Sequence, residues 1–471
     1  MTLIERPLTL QVNAWSGKHT VEGDLSATTP FAQRRQGDKP LQWLAAPAEV
    51  DLREWRHPEV GWGLVLPDND DLSPHERAGA EDAPLPIQQL LASRPGSPVL
   101  RWRQDLQQGY LRRYYADGKS PEDLSSLSLK PGIKEGHIPR YLLIYASPRQ
   151  IPWAVQYALN ISTFVGRLDL TGEGLANYVN ALIGDWAEHQ PCDPAAPLIW
   201  QVNQGAGDIT ALMCRVVADK VWESFGSDPD LPRRHQLKED AATAALLYAA
   251  LSERQPGLVV TTSHGMTGPL DDKTALAAQL GLPVDVTGSP IALAGLLPWK
   301  ANGAIWYAHA CCSAGADGKS RYRGLFDADN RIGQMLNAVA EGAGPSIAPL
   351  PRALLGAPSP LRAFVGHVEP TFDWTLKDPL TGQSQAYAVC DALYPALYRQ
   401  APRTPIGYAL SGVYKEAGHF YGAWQDAIDQ IDKNVPGMRN WALYRQLVAM
   451  DRQTLVILGD PTVSLPKLAL G

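Results

Sequence analysis

The sequence has little cysteine and none of the paired spacing with which cysteines bind a structural metal. Its five cysteines are an odd and sparse set at Cys192, Cys214, Cys311, Cys312 and Cys390. Structural zinc sites use closely spaced pairs such as C-x-x-C, which do not occur here. We therefore expect free thiols in a reducing compartment and no metal site.

Long apolar runs and an excess of positive charge are also missing. No stretch approaches the roughly 20 apolar residues that a membrane-spanning helix requires, and the start, MTLIERP, does not read as a signal peptide. The formal net charge of the 471 residues is -7, with 42 Lys and Arg against 49 Asp and Glu. A mildly acidic surface does not attract nucleic acid or an anionic membrane. The sequence therefore predicts a soluble, cytoplasmic protein that binds neither.

Two motifs of common enzyme classes are absent as well. The glycine-rich segment at residues 205–208 lacks the GK[ST] ending of a phosphate-binding loop. No GxSxG occurs, so the sequence does not predict the nucleophile elbow of serine hydrolases.

What the chain does contain, from about residue 133 onward, is a regular alternation of apolar strand-like runs and helical segments. The strand-like runs lie at residues 140–145, 164–168, 197–202, 258–262, 361–368 and 454–458, with another that begins at residue 303. Such alternation implies right-handed strand-helix-strand crossovers and a parallel sheet. We predict an α/β fold with mostly parallel sheets flanked by helices.

The same pattern predicts three regions. Residues 1–132 mix short alternating segments with proline-rich, acidic stretches, which suggests a small strand-containing region with a regulatory or partner-binding role. A polar connector rich in Gly, Ser, Pro and Lys then marks a boundary. Two successive α/β subdomains follow, a non-catalytic one at 133–236 and a catalytic one at 237–471.

Reactive side chains stand at the ends of two of the predicted strands. One strand ends in Ser263-His264-Gly265, and the other ends in a turn that carries Cys311 and Cys312. The carboxyl ends of parallel strands meet at one edge of a sheet. An imidazole there can take the proton of a thiol and make it a nucleophile. The amides of Gly265 and Cys312 would then bind the oxyanion of an acyl-transfer reaction.

This arrangement resembles the caspase-like (clan CD) cysteine peptidases, which include caspases, metacaspases, legumain, gingipains, separase and the bacterial CHAT-domain proteases. Ser263-His264-Gly265 matches their histidine motif, and residues 310–315, ACCSAG, are similar to their cysteine motif. Counting back from Gly315 in the Cys-x-x-Gly form selects Cys312, whereas a caspase-style Ala-Cys register selects Cys311. We assign Cys312 as the nucleophile and His264 as its base.

Four further segments look like the gingipain and CHAT branch, and with the two motifs the resemblance covers about residues 140–465. They are YLLIYASPRQIP at 141–152, VGRL at 165–168, AFVGHVE at 363–369 and LGDP at 458–461. The resemblance implies hydrolysis of protein substrates through a thioester, with no metal or organic cofactor. It also implies activation by a partner protein or signal, in bacterial antiphage defence or stress response.

The resemblance places a substrate pocket around the same strand ends. The position two before the nucleophile is Ala310, whose small apolar side chain favours an uncharged P1 residue, whereas Glu369 would favour a basic one. His309, His367 and Trp374 are expected beside them. Asp208 is predicted only to cap a helix, and no third catalytic residue can be chosen.

Two alternatives remain open at this point. A catalytically silent caspase-fold scaffold would bind partner proteins without cleaving them. A peptide ligase or transpeptidase would use the same cysteine and histidine, and the mass of its product would distinguish it from a hydrolase.

Overall fold

The computed structural model describes residues 9–15, 20–24, 50–128, 130–188, 191–326, 330–379, 381–399 and 401–468. The chain divides into two units at residues 1–50 and 51–471. In the first, β1 (Thr9–Trp15) and β2 (Thr20–Asp24) pair in antiparallel fashion.

The strands of the second unit are short and mostly apolar. They are β3 (Trp62–Pro67), β4 (Val99–Trp102), β5 (Tyr110–Arg113), β6 (Glu122–Ser125), β7 (Tyr141–Tyr145), β8 (Phe164–Leu168), β9 (Leu198–Gln201), β10 (His235–Leu237), β11 (Leu258–Thr262), β12 (Ile305–His309), β13 (Gly315–Ala316), β14 (Ser346–Ile347), β15 (Ala363–His367) and β16 (Leu455–Gly459). Twelve of them form one sheet in the order β10-β9-β11-β12-β15-β16-β8-β7-β3-β4-β5-β6, while β13 and β14 pair with each other.

The helices lie between these strands along the chain. They are α1 (Pro74–Ala78), α2 (Leu85–Ala92), α3 (Trp153–Leu159), α4 (Gly172–Ile183), α5 (Ile209–Met213), α6 (Asp219–Gly226), α7 (Ala244–Arg254), α8 (Lys273–Gln279), α9 (Leu293–Leu296), α10 (Arg331–Gly342), α11 (Pro349–Leu355), α12 (Asp373–Leu376), α13 (Tyr387–Asp391), α14 (Ile406–Ala409), α15 (Ser411–Asp432) and α16 (Met438–Thr454). A π-helical turn, Cys214–Ala218, joins α5 to α6, and another, Ala392–Ala396, follows α13.

The sheet is mostly parallel, which confirms the predicted fold class. The pairs β15/β16, β4/β5 and β5/β6 are antiparallel and the other neighbours are parallel. Every residue of β8, β11, β12, β15 and β16 is buried, as expected for central strands covered on both faces. Among the described residues, no helix has both the length and the apolar character needed to cross a bilayer.

The predicted boundary after residue 132 does not divide the structure. β3 pairs directly with β7, with Trp62 opposite Tyr141. Side chains from both stretches share one apolar cluster, which contains Val65, Leu100, Leu111, Leu124, Ile138, Leu142, Ile144, Ala146, Ile151, Val155, Leu159 and Val165. The polar connector proves to hold β6 and the turn back into β7. The separate unit at the amino terminus is only residues 1–50.

The predicted boundary at 236/237 also falls inside a half of the sheet. β10 contains this position and β9 precedes it, and the two strands continue the sheet outward from β11. The chain instead passes from one half of the sheet to the other between β8 and β9. Strands β3–β8 lie together at one end of the strand order, and the later strands lie at the other end. The reversal between β15 and β16 makes the two sets of parallel strands run in opposite directions. The carboxyl ends of β9, β11, β12 and β15 therefore share one edge, and we refer to it as the reactive edge.

Candidate active site

The two predicted motifs meet at the reactive edge. In the β11/β12 pair Thr262 lies opposite His309, and His264 and Cys311 each follow two residues later. Neighbouring strands are about 4.8 Å apart, so these two residues leave the sheet side by side. The strand ends are in contact, because a Cβ placed on Gly265 would lie 2.1 Å from the carbonyl oxygen of Cys311. Only a glycine fits there.

His264 is held by a carboxylate. Its Nε2 lies 3.0 Å from Oδ2 of Asp208, and the two side chains are 40% and 31% exposed. Asp208 follows β9, the strand on the other side of β11. Its second oxygen, Oδ1, accepts hydrogen bonds from the amide and the hydroxyl of Thr210 at 2.8 and 2.5 Å, which caps α5. One carboxylate thus fixes the start of a helix and orients the imidazole.

Asp208 keeps its charge in this setting. Partial burial alone would raise its pKa, but the hydrogen bonds from Thr210 and His264 outweigh it, and the pKa lies below the usual value for aspartate. The sequence identified the helix cap but not the contact with His264. The signal that was available is an acidic residue shortly after the run at 197–202, which is the last strand predicted before the histidine strand.

The adjacent cysteines face different surroundings. Cys312 is fully buried, and its side chain packs in an apolar cluster with Leu276, Leu280, Ala316, Val339 and Ala343. Its φ of 54° lies in the left-handed region, and burial raises its pKa well above the usual value for a thiol. Cys311 is partly exposed, and the amide of Thr371 points at its Sγ at 3.4 Å. Burial raises the pKa of Cys311 as well, although the contact with Thr371 opposes it.

This geometry contradicts the assignment of Cys312 as the nucleophile. A thiol packed among aliphatic side chains does not reach a substrate, whereas the neighbouring residue Cys311 is partly exposed at the reactive edge. The left-handed turn at Cys312 directs the chain so that its side chain enters the core. Counting back from Gly315 could not reveal this left-handed turn, because it depends on the backbone conformation. We therefore correct the candidate nucleophile to Cys311.

The predicted oxyanion donors change in the same way. The amide of Cys312 faces the carbonyl oxygen of Glu369 at 3.4 Å. Gly265 sits between two hydrogen bonds to the 282–284 segment, from Met266 to Leu282 and from Val284 to His264, and its own amide takes part in neither. Within the described part of the chain, the amides of Gly265 and Cys311 donate no hydrogen bond. We take these two amides as the candidate oxyanion donors.

Three of the residues predicted for the substrate pocket lie in the interior. His309, Ala310 and His367 are only 2%, 1% and 2% exposed. The hydroxyl of Tyr307 lies 2.8 Å from Nδ1 of His309, and the rings of the two histidines are 5.0 Å apart. Burial, the larger cause, lowers the pKa of each histidine to about 3, so both are neutral. They form a buried layer behind the reactive edge and not the wall of a pocket.

The other two predicted pocket residues are also engaged within the protein. The carboxylate of Glu369 is buried and accepts hydrogen bonds from Ser320 and from the amide of Arg321. Trp374 is half-buried and packs against an apolar cluster that includes Tyr322 and Met450. Neither side chain is free to contact a substrate in this conformation.

The short segments VGRL and LGDP prove to have structural roles. Arg167 is buried, donates to Gln156 Oε1 at 2.9 Å and stacks on Trp153. Asp460 is fully buried, and its Oδ2 accepts from Trp62 Nε1 at 3.0 Å and from Arg94 at 3.1 Å. These contacts hold strands and helices together away from the reactive edge.

No group of three or more His, Cys, Asp or Glu side chains in the described ranges is arranged to hold a metal ion.

Comparison with known proteins does not identify a family for this chain. No family model matches the chain, and no curated protein matches it. One matching solved structure is described as "Structure of Protease" and shares 11% sequence identity with the chain. The match covers 86% of this chain and 78% of the other protein, with a TM-score of 0.45. A likeness of this degree carries no inference about the chain.

Proposed function

We propose that the protein is a cysteine peptidase in which Cys311 is the nucleophile, His264 its general base and acid, and Asp208 the residue that orients the histidine. The observation that carries the proposal is the reactive edge itself. It joins a carboxylate, an imidazole and the thiol of a partly exposed cysteine beyond the ends of three adjacent parallel strands. A nucleophile, a base and a group that orients the base are the three parts of a nucleophilic hydrolase site.

The contact between Nε2 and Asp208 supports a different role for each nitrogen of the imidazole. Asp208 accepts the proton on Nε2, which leaves Nδ1 of the neutral ring to take the proton from the Cys311 thiol. The charged carboxylate then stabilises the imidazolium. Because burial raises the pKa of Cys311, the resting group is a thiol, and transfer of its proton to His264 accompanies attack.

The reaction then follows two steps. Sγ of Cys311 attacks the peptide carbonyl, and the amides of Gly265 and Cys311 donate to the oxyanion. The imidazolium protonates the leaving amine as the C–N bond breaks, which leaves a thioester on Cys311. His264 next removes a proton from water, and the hydroxide displaces the thiolate to release the acid product.

The resemblance to caspase-like peptidases supports the same class of reaction. With Cys311 as the nucleophile, the caspase-style Ala-Cys register applies, and the residue two positions before is His309. Because His309 is buried and neutral and Glu369 is engaged with a loop, the arguments for the P1 residue from Ala310 and Glu369 no longer hold. On the resemblance we further propose a protein substrate and an activating partner or signal, in bacterial defence or stress response.

The test compares the two cysteines directly. Cys311→Ala and Cys312→Ala variants, checked for folding by thermal melting, are incubated with a proteome, and new amino termini are read by mass spectrometry. We expect cleavage by the wild type and by folded Cys312→Ala, and none by Cys311→Ala. Cleavage that survives in Cys311→Ala would overturn the proposal, and so would its absence in the wild type together with slow iodoacetamide labelling of Cys311. A ligated product mass would identify the transpeptidase alternative.

A further inference from the structure

The segment that follows β15 contacts both cysteines through its main chain. The carbonyl oxygen of Glu369 faces the amide of Cys312 at 3.4 Å, and the amide of Thr371 faces Sγ of Cys311 at 3.4 Å. The position of residues 369–371 therefore determines whether the amide of Thr371 can donate a hydrogen bond to Sγ of the proposed nucleophile.

The side chain of Glu369 binds the loop that follows the cysteines. Its Oε1 accepts from the amide of Arg321 and its Oε2 from the hydroxyl of Ser320, both at 2.8 Å. The loop spans residues 317–323 and begins directly after β13. Glu369 is only 3% exposed, so these loop donors are the partners that satisfy its carboxylate.

We propose that Glu369 is a positioning residue for the nucleophile, whose carboxylate fastens the 317–323 loop to the segment that presents the Thr371 amide to the Cys311 thiol. The inference rests on the proposed role of Cys311. It replaces the expectation that Glu369 selects a basic substrate side chain. Loss of the fastening would release the loop and weaken the contact at Sγ.

Several charged and titratable groups face this carboxylate. On the loop, Asp317 and Arg321 act in opposite directions, and the Arg321 guanidinium also lies over the ring of Tyr157 on α3. The negative charge of the same carboxylate also contributes to the raised pKa of Tyr322 and of Cys312. Burial raises the pKa of Glu369 to about 7 and Asp317 adds to the rise, while the hydrogen bonds from Arg321 and Ser320 oppose it. The carboxyl group therefore titrates near neutral pH.

The two protonation states hold the loop differently. The carboxylate accepts from both donors, as seen in the structure. In the protonated acid one oxygen carries a proton, and because the Arg321 amide can only donate, that proton goes to the Ser320 hydroxyl. The hydroxyl then accepts through its second lone pair, since it also accepts from the amide of Tyr322 at 3.1 Å, and the bonds to the neutral acid are weaker than the charge-assisted bonds to the carboxylate. The fastening is accordingly stronger above pH 7 than below it.

The test follows the rate of alkylation of Cys311 by iodoacetamide between pH 6 and 8, in the wild type and in Glu369→Gln. Glutamine keeps the shape and accepts from Arg321 but does not titrate. A group with a pKa of about 7 is about tenfold less ionised at pH 6 than at pH 8. We expect the rate ratio of wild type to Glu369→Gln to fall by up to about tenfold from pH 8 to pH 6. Asp317→Asn should move the fall to lower pH.

Glu122→Gln is the matched control, because Glu122 also accepts a hydroxyl hydrogen bond, from Tyr115, but lies on β6 at the far end of the sheet. It should follow the wild type at every pH. If Cys311 labels rapidly and the ratio for Glu369→Gln is constant with pH, Glu369 has no positioning role and the proposed function stands. If Cys311 labels no faster than the buried thiols at any pH, the proposed function itself fails.

Discussion

The buried histidine pair behind the reactive edge makes the protein sensitive to acid. His309 and His367 lie within the core, and three of their four ring nitrogens make no hydrogen bond within the described residues. Asp451 is the nearest acid, with Oδ1 3.8 Å from Nδ1 of His367, and it is already bonded to Arg452. The pKa of each histidine is lowered to about 3, chiefly by burial. The native state therefore excludes protons that the unfolded chain binds.

The sign and size of the effect follow from linkage. Because the folded pKa is depressed, the stability from these histidines is present above the unfolded pKa of about 6.5 and is lost as the pH falls towards 3. At pH 5 an unfolded histidine is almost fully protonated and a native one is not, which costs about 2 kcal/mol for each residue. The pair should remove about 4 kcal/mol of unfolding free energy between pH 7 and pH 5. This figure depends on the unfolded pKa and hardly on the native one.

Urea unfolding at pH 7 and pH 5 measures this loss. His309→Asn and His367→Asn should each reduce the loss between the two pH values by about 2 kcal/mol, whatever they do to stability at pH 7. His419→Asn, on the exposed face of α15, controls for the general effect of removing a histidine and should leave the loss unchanged. If His309→Asn and His367→Asn lose as much stability as the wild type, the two imidazoles are protonated in the native state and the reasoning is wrong.

Three further substitutions test the remaining contacts. Asp208→Asn should lower kcat by about 10²- to 10⁴-fold with little change in melting temperature, because the amide no longer fixes the tautomer of His264; an unchanged kcat would exclude the orienting role. Gly265→Ala should abolish peptide cleavage, since its Cβ would meet the carbonyl oxygen of Cys311 at 2.1 Å; an active, folded variant would contradict the contact. Asp460→Asn should cost about 3–5 kcal/mol in urea unfolding, because it leaves the buried Arg94 without its counter-charge; a smaller loss than for truncation of a surface pair would refute this.

The fold class could be predicted because it depends on local pattern. The apolar runs at β11, β12 and β15 are buried along their full length, and their alternation with helices implies parallel pairing. The domain boundaries could not be predicted in the same way. Whether β3 joins β7 is decided by pairing between distant segments, and a polar stretch that contains β6 looks the same in sequence as a linker.

The candidate site shows the same limit at finer scale. Strand ends place His264 and Gly265 correctly from sequence, because register in a parallel pair fixes which residues leave the sheet together. The choice between Cys311 and Cys312 depends on one backbone angle, the φ of 54° at Cys312, and on the aliphatic side chains that surround it. The link from Asp208 to His264 needs β9 beside β11, a neighbour relation that sequence order does not state.

The reversal of direction within the sheet explains why the chemistry is confined to one half. Strands β9, β11, β12 and β15 all end at the reactive edge, while β7, β8 and β16 end at the opposite one. Two charged residues near those opposite ends are buried in internal contacts: Arg167 donates to Gln156, and Asp460 pairs with Arg94. The half built from β3–β8 nevertheless contacts the segment that follows the cysteines through α3, because Trp153 donates to the carbonyl oxygen of Ala316 at 2.9 Å and Tyr157 lies under Arg321. It therefore supports the loop that follows the cysteines, and we expect substitutions in α3 to change the rate of iodoacetamide labelling of Cys311, although α3 carries none of the proposed catalytic residues.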